Sequence, residues 1–128
     1  MNWTLEVVKC PVTDLDRAIT FYRDKVGFNL DFDTKISDSM RVIQLTPPGS
    51  GCSIVMGIGI GVDSPPGTLQ AQLVVPDIEA ARKELVERGV DVSDIKRFNE
   101  DDGGAFVFFD DPDGNNWGVQ EIRARAQS

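Results

Sequence analysis

The chain has 128 residues, of which 41% are hydrophobic and 27% are charged, with a formal net charge of −8 and no histidine. The length fits one compact domain, and the acidity excludes a nucleic-acid backbone as an expected partner, because phosphate binding needs concentrated Lys and Arg. The lack of histidine excludes Ser-His-Asp and Cys-His catalytic systems and every metal site that contains histidine.

The first half of the chain predicts a strand, a helix and three further strands. The apolar run LEVVKC (residues 5–10) predicts the first strand, and Asp14 is placed to cap the helix that follows. Gly27 suits the left-handed end of this helix, and strands are expected near residues 28–32, 41–46 and 52–56. The residues that recur at helical spacing and predict its buried stripe are Leu15, Ala18, Ile19, Tyr22 and Val26.

The second half repeats this order 63 positions further along, with Asp77 at the place of Asp14. The run LQAQLVV (residues 69–75) predicts its first strand, and Gly89 ends its helix. Further strands are expected at residues 90–97, 105–110 and 116–122, the last two joined by a DPDG turn. The expected buried stripe of this helix is Ile78, Ala81, Leu85 and Val86.

These repeats resemble the vicinal oxygen chelate superfamily, which includes glyoxalase I, extradiol dioxygenases, fosfomycin-resistance transferases and bleomycin-resistance proteins. The resemblance is carried by V-x-D-[LI]-[DE]-x-A after each first strand, FYRDKVGF in the first helix and DPDGN before the last strand. It implies an α+β fold in which two βαβββ modules form a curled mixed sheet around a cleft, commonly in homodimers. The expected organisation is one domain over residues 1–128, with modules at 1–57 and 68–122, a linker at 58–67 and a tail at 123–128.

The resemblance also indicates where metal ligands would stand. Metal-dependent members carry His or Gln on the first strand of each module, seven residues before the capping Asp, and Glu on the last strand. Here the places on the two first strands are Val7 and Gln70. The place on the last strand is near Ile54 in the first module and is Gly118 in the second module. A transition metal needs about four donors, and only Gln70 offers one, so neither a metal nor another cofactor is expected. Glu121 is the nearest spare carboxylate, but strand alternation puts it on the opposite face from Gly118.

Two acidic patterns have competing interpretations. Asp111, Asp113 and Asn115 match the first ligands of an EF-hand loop, but Asn116 stands where that loop needs Gly, and a hairpin turn explains the same residues. Other acidic residues either rim the cleft and attract a cationic compound or lie in solvated loops. These residues are Asp31, Asp33, Asp38, Glu100, Asp101 and Asp102.

Strand alternation from the expected ligand places predicts which residues face the cleft. The predicted ligand-binding residues are Val7, Lys9, Gln70, Gln72, Asn116, Gly118 and Gln120. Trp117 and Val119 are expected to point to the covering helix instead. Lys9 would either bind an anion, act as an amine nucleophile of lowered pKa, or reach out to solvent.

The preferred hypothesis is a metal-independent small-molecule-binding protein that sequesters a drug-like or metabolite ligand. The alternative is an enzyme of the same fold, a glyoxalase-type lyase or isomerase or a dioxygenase-like protein, with a non-standard active site using a carboxylate, Lys9 or Tyr22. A third possibility is an interaction module in a larger assembly. The expected partners are a small organic ligand and a second copy of the chain, in the cytoplasm, without nucleic acid or membrane.

Overall fold

A computed structural model describes residues 1–127, with the side chains of residues 1–126. Ser128, the last residue of the expected tail, lies outside the described part. The strands are β1 (Val7–Lys9), β2 (Asn29–Ser37), β3 (Met40–Thr46), β4 (Ser53–Ile58), β5 (Gln70–Val75), β6 (Lys96–Arg97), β7 (Ala105–Asp110) and β8 (Asn116–Glu121). The helices are α1 (Leu15–Ile19), a π-helical segment (Thr20–Val26), α2 (Ile78–Glu87) and a 3₁₀ helix (Arg123–Gln127).

The strands form two four-stranded sheets with the same topology. The first sheet has the order β1-β4-β3-β2 and the second has the order β5-β8-β7-β6. In each sheet the first and last strands of the module pair in parallel, and the other neighbours pair antiparallel. The predicted α+β architecture, a βαβββ unit used twice, is confirmed.

The helix ends follow the sequence signals. The carboxylate of Asp14 accepts from Arg17 N at 3.1 Å, and that of Asp77 accepts from Ala80 N at 3.0 Å. Gly27 and Gly89, which end the two helical segments, have φ of 93° and 86°. Both glycines thus supply the left-handed conformation that a side chain disfavours.

The first helix departs from the expected regular geometry. Gly27 follows Asp14 by 13 residues, whereas Gly89 follows Asp77 by only 12. The additional residue is accommodated by the π segment, at whose end the amides of Gly27 and Phe28 both donate to Tyr22 O, at 3.0 and 2.8 Å. The wider turns bury Phe21 beside Tyr22, and helical spacing alone did not predict this.

Three other expectations differ from the structure. Val86 is 48% exposed, because Ile78 and Leu85 define the buried side of α2 and Val86 lies off that side. The strand expected at residues 90–97 is limited to Lys96–Arg97, with Val92 forming an isolated bridge to Phe109. β2 and β4 extend beyond their expected ends, to Ser37 and Ile58.

The two modules share one hydrophobic core. Phe21 and Tyr22, on the helical segment of the first module, contact rings of the second sheet. The ring centroids of Phe21 and Phe109 are 6.1 Å apart, and those of Tyr22 and Trp117 are 5.7 Å apart. The buried apolar residues of both modules form a single cluster, so the modules fold as one packed unit.

None of the helices within residues 1–127 is long and apolar enough to cross a membrane.

Candidate functional site

Each sheet has one face toward the helices and one face open to solvent. In the second sheet, Trp117 and Val119 are buried against the helices, as strand alternation predicted, whereas Gln70 and Gln72 are exposed. We call the exposed side the open face. In the register of β5 with β8, Gln70 lies beside Asn116 and Gln72 beside Gly118. The side chains of Gln70, Gln72 and Asn116 therefore share the open face, where Gly118 has no side chain.

The structure brings most of the predicted residues of the second module together. The amide of Gln72 donates to Gln120 Oε1 at 2.8 Å, and the amide of Gln120 donates to Gly103 O at 2.8 Å. The bond between Gln72 and Gln120 fixes their two carboxamide groups directly beside Gly118. Asn116 stands at the start of β8, where its amide donates to Asp110 Oδ1 at 2.9 Å.

The predicted residues of the first module lie on the other sheet. Val7 is partly exposed at the edge strand β1, and Lys9 Nζ donates to Gly61 O at 3.2 Å. A cavity of about 300 Å³ separates β1 from β5, and Leu5, Gln70 and Gln72 are among its lining residues. Val7 and Lys9 do not line this cavity, so the structure does not bring the two groups of predicted residues together in one pocket.

Three aromatic residues on the open face of the second sheet were not among the predicted site residues. Phe106 and Phe108 are on β7, opposite Gln120 and Gly118 of β8. The rings of the two phenylalanines are parallel, with centroids 6.0 Å apart. The ring of Phe98 meets that of Phe106 edge-on at 5.6 Å. The alternation in AFVFFD was the signal for the β7 pair, whereas the position of Phe98 depends on the path of the loop before β7. We call Phe98, Phe106 and Phe108 the aromatic wall.

The residues at the expected metal-ligand places do not fit a metal. The fourth expected ligand place is on the last strand of the first module, and the offset of 63 together with the strand register puts Val55 there, rather than Ile54. Ile54 faces the core and is 3% exposed. Val7, Val55 and Gly118 have no donor atom in their side chains, which leaves the amide of Gln70 alone. A Cβ at Gly118 would lie 3.3 Å from the Phe108 ring, so this ring covers the place of the usual glutamate. Within residues 1–127, no group of three or more acidic or cysteine side chains is arranged to hold a metal ion.

Glu121 has a different role from metal binding. It is buried on the helix side of the sheet, where its Oε2 accepts from Ile78 N at 2.9 Å and its Oε1 from Arg123 Nη1 at 3.2 Å. A carboxylate at this position satisfies a free amide and the positive end of the α2 dipole. Glu121 therefore stabilises the start of α2 and does not face the site.

The DPDGN turn forms a buried polar junction between the modules. Asp111 accepts from Tyr22 OH at 2.6 Å, and Asn115 donates its side-chain amide to Pro11 O at 2.9 Å. Trp117 Nε1 donates to the Tyr22 hydroxyl at 2.9 Å. Every buried side-chain nitrogen or oxygen in the described part of the chain has a hydrogen-bond partner. The turn carboxylates are thus occupied by protein donors, as the hairpin interpretation expects.

The polar junction also decides the state of two titratable groups. Burial, reinforced by the neighbouring Cys10 and Asp111, raises the pKa of Tyr22 far above its ordinary value. Burial raises the pKa of the Cys10 thiol to about 12. Tyr22 and the spare carboxylate of Glu121 are thus enclosed on the helix side, whereas Lys9 lies on the open face of the first sheet.

The open face of the first sheet carries a carboxylate held by several donors. Asp31 accepts from Asn29 Nδ2 at 2.8 Å, from Gln44 Nε2 at 3.0 Å and from the hydroxyl of Thr46. These bonds, led by the one from Thr46, hold the pKa of Asp31 below its ordinary value. Of the other acidic residues considered for the rim, Asp33 pairs with Arg41, and Asp102 accepts from Arg123 N at 2.6 Å.

Comparison with known proteins agrees with this geometry. The profile of the Glyoxalase/Bleomycin resistance protein/Dioxygenase superfamily matches residues 4–119. The chain belongs to this superfamily. No protein with a curated functional description matches the chain.

Solved structures of the superfamily superpose on almost the whole chain. The structure of TnmS3, an antibiotic binding protein from Streptomyces sp. CB03234, is 33% identical with a TM-score of 0.79, covering 94% of this chain and 97% of TnmS3. A glyoxalase/bleomycin resistance protein from the same organism is 34% identical with a TM-score of 0.76, covering 92% of this chain and 100% of that one. A superfamily member from Sphaerobacter thermophilus DSM 20745 is 27% identical with a TM-score of 0.77, covering 94% and 98%.

Proposed function

We propose that this superfamily member is a metal-independent binding protein that sequesters a planar aromatic small molecule, drug-like or a metabolite. Its site is the open face of the second module. The ligand lies against the aromatic wall, and carboxamide groups orient it. The core residues of this site are Gln70, Gln72, Gly118, Gln120, Phe98, Phe106 and Phe108, while Val7, Lys9 and Asn116 are predicted to extend it.

The observation that carries the proposal is the replacement of a ligand carboxylate by an aromatic surface. Gly118 removes a side chain from the centre of the open face, and the Phe108 ring lies against the space that this leaves. Partly exposed aromatic rings beside a few fixed polar groups are typical of sites for organic ligands. The bond between Gln72 and Gln120 holds the polar groups in place before a ligand arrives, which lowers the entropic cost of binding.

The comparison with TnmS3 supports the same class of ligand. TnmS3 is an antibiotic binding protein, and it is 33% identical to this chain over nearly the full length of both. We extend antibiotic binding to this chain as part of the proposal. The net charge of −8 favours a cationic compound over an anionic one.

A titration with aromatic antibiotics tests this proposal. We expect an anthracycline, which is planar and cationic, to bind saturably by calorimetry. The Phe108→Leu variant should bind about two- to ten-fold more weakly, because aromatic pairs contribute about 0.5–1.5 kcal/mol beyond area burial. Gln120→Ala should also weaken binding. Val86→Ala, at an exposed apolar residue on the outer side of α2, is the control and should bind like the wild type.

Elemental analysis tests metal independence separately. Protein purified without chelator should bind the antibiotic while holding no stoichiometric transition metal. One tightly bound metal ion per chain, required for binding, would contradict the proposal. Turnover of a superfamily substrate that is lost in Lys9→Met with the fold intact would favour the enzyme alternative.

We further propose that the chain pairs with a second copy and acts in the cytoplasm. Alternate residues of the N-terminal segment form an apolar stripe that the described structure leaves uncovered, with Trp3 at 86% and Leu5 at 70% exposed. An exposed stripe of this kind favours an interface. The free thiols of Cys10 and Cys52 agree with a reducing compartment. Light scattering should give twice the chain mass for the wild type and the chain mass for Trp3→Asp; a monomeric wild type would contradict pairing.

A further inference from the structure

The two junctions between the modules are related by the repeat but have opposite chemistry. At the polar junction, Cys10 and Tyr22 of the first module meet Asp111, Asn115 and Trp117 of the second. The offset of 63 gives the equivalent residues of the other junction, which are Leu73, Leu85, Pro48, Cys52 and Ile54. Four of the five residues of the buried network are thus replaced by apolar residues, and Asn115 is replaced by the thiol Cys52.

This exchange also leaves space. Tyr22 and Asn115 fill the polar junction completely, with no exposed surface. At the second junction, Leu85 is smaller than Tyr22, and a cavity of about 260 Å³ remains beside it. Its walls come from both modules, with Val26, Phe28 and Pro48 on one side and Leu73, Ala81 and Leu85 on the other. We call it the junction cavity.

The junction cavity is separate from the open face of the sheets. Its floor is formed by Phe109 and Val119, which belong to the helix side of the second sheet and are buried in the core. Phe108 and Gln120, one residue along each strand, point to the open face instead. A compound in the junction cavity therefore lies across the sheet from the site proposed above.

The π segment lies at the edge of this cavity. It ends at residues of the cavity wall, and π-helical turns occur frequently at functional sites. Arg88 lies over Gly27 and pairs with Glu84 at 2.8 Å, so the one carboxylate of the lining is already engaged at the rim. The remaining side chains of the lining are apolar and offer no hydrogen-bond partners.

These features determine the chemistry of an occupant. An apolar cavity of about 150 Å³ is known to stay dry and to bind benzene. The junction cavity is larger, at about 260 Å³, and contacts both modules. We propose that it is a second binding site, distinct from the open face, for a compact uncharged molecule of one or two fused rings, which would hold the two modules together when bound.

Indole is a suitable probe, because it is uncharged, has two fused rings and dissolves in water. We expect it to bind the full chain saturably in a ligand-detected NMR titration. Ala81→Leu fills the cavity from α2 and should weaken indole binding at least ten-fold, with an unchanged circular dichroism spectrum. Ala80→Leu places the same side chain one residue earlier, on the exposed side of α2, and should leave indole affinity unchanged.

The Phe108→Leu variant separates this site from the open face. It should weaken binding of the aromatic antibiotic but retain indole binding, whereas Ala81→Leu should show the reverse. The proposal is overturned if wild-type protein gives no saturable indole binding, or if Ala81→Leu binds indole like the wild type. It is equally overturned if Phe108→Leu abolishes indole binding, or if indole dissociates a dimer, which would assign the cavity to a second copy of the chain.

Discussion

Removing the hydroxyl of Tyr22 tests how strongly the polar junction stabilises the fold. In Tyr22→Phe the ring stays, together with its contacts to Phe28 and Trp117, at centroid distances of 5.6 and 5.7 Å. The main losses are a donor to Asp111 Oδ2 at 2.6 Å and the acceptor for Trp117 Nε1 at 2.9 Å, beside a weak 3.6 Å contact with Cys10 Sγ. The variant therefore changes hydrogen bonding with little change in packing.

The size of the effect follows from these two bonds. A hydrogen bond to a charged group contributes about 1.5–3 kcal/mol, and a buried donor left without an acceptor costs about 1–3 kcal/mol. The carboxylate of Asp111 still accepts from the backbone amides of Asp113 and Asn115, at 2.9 Å each. These bonds partly compensate for the lost bond from the Tyr22 hydroxyl. We expect the free energy of unfolding to fall by about 3 kcal/mol, a large fraction of the roughly 5–15 kcal/mol of a typical domain.

Urea unfolding monitored by circular dichroism measures this change. The denaturant slope should stay constant, because the surface exposed on unfolding hardly changes. Ser37→Ala, which removes an exposed hydroxyl bonded to Ser39, is the control and should stay within about 0.5 kcal/mol of the wild type. A loss below about 1 kcal/mol in Tyr22→Phe would refute the inference that the polar junction is a main stabilising contact between modules.

Two further predictions concern buried ionisable groups. Tyr22 is the only tyrosine, and its pKa is raised, so folded protein should show no tyrosinate absorbance near pH 10, where the urea-unfolded chain titrates. Because the folded state keeps this proton and that of Cys10, whose pKa is about 12, stability is intact below about pH 9 and falls as pH rises. A native tyrosinate transition at about pH 10 would contradict the buried hydroxyl. Glu121→Gln should lower the free energy of unfolding by about 1 kcal/mol through the weakened start of α2, without changing antibiotic affinity, and a large loss of affinity would show that Glu121 acts in the site.

The order of elements and the helix ends could be predicted from the sequence because they depend on local signals. Asp14 and Asp77 cap helices through bonds to amides three residues away, and Gly27 and Gly89 end them through their own backbone freedom. Strand alternation is also a local signal, because the period of a strand is set within the strand itself. It correctly placed Gln72 and Gly118 on one face of the sheet and Trp117 on the other.

The site and the junctions were decided by contacts between distant parts of the chain. Phe98 joins the aromatic wall only because a loop returns to β7, and no periodicity in the sequence records that path. The additional residue of the first helix could be counted in the sequence, but packing decided that it would become a π segment burying Phe21. Which of two related junctions is filled and which is hollow depends on how side chains from both modules share one space. The sequence alone thus determined the repeated βαβββ unit and the absence of donor side chains at three of the four expected metal-ligand places. Tertiary packing formed the aromatic wall and the junction cavity.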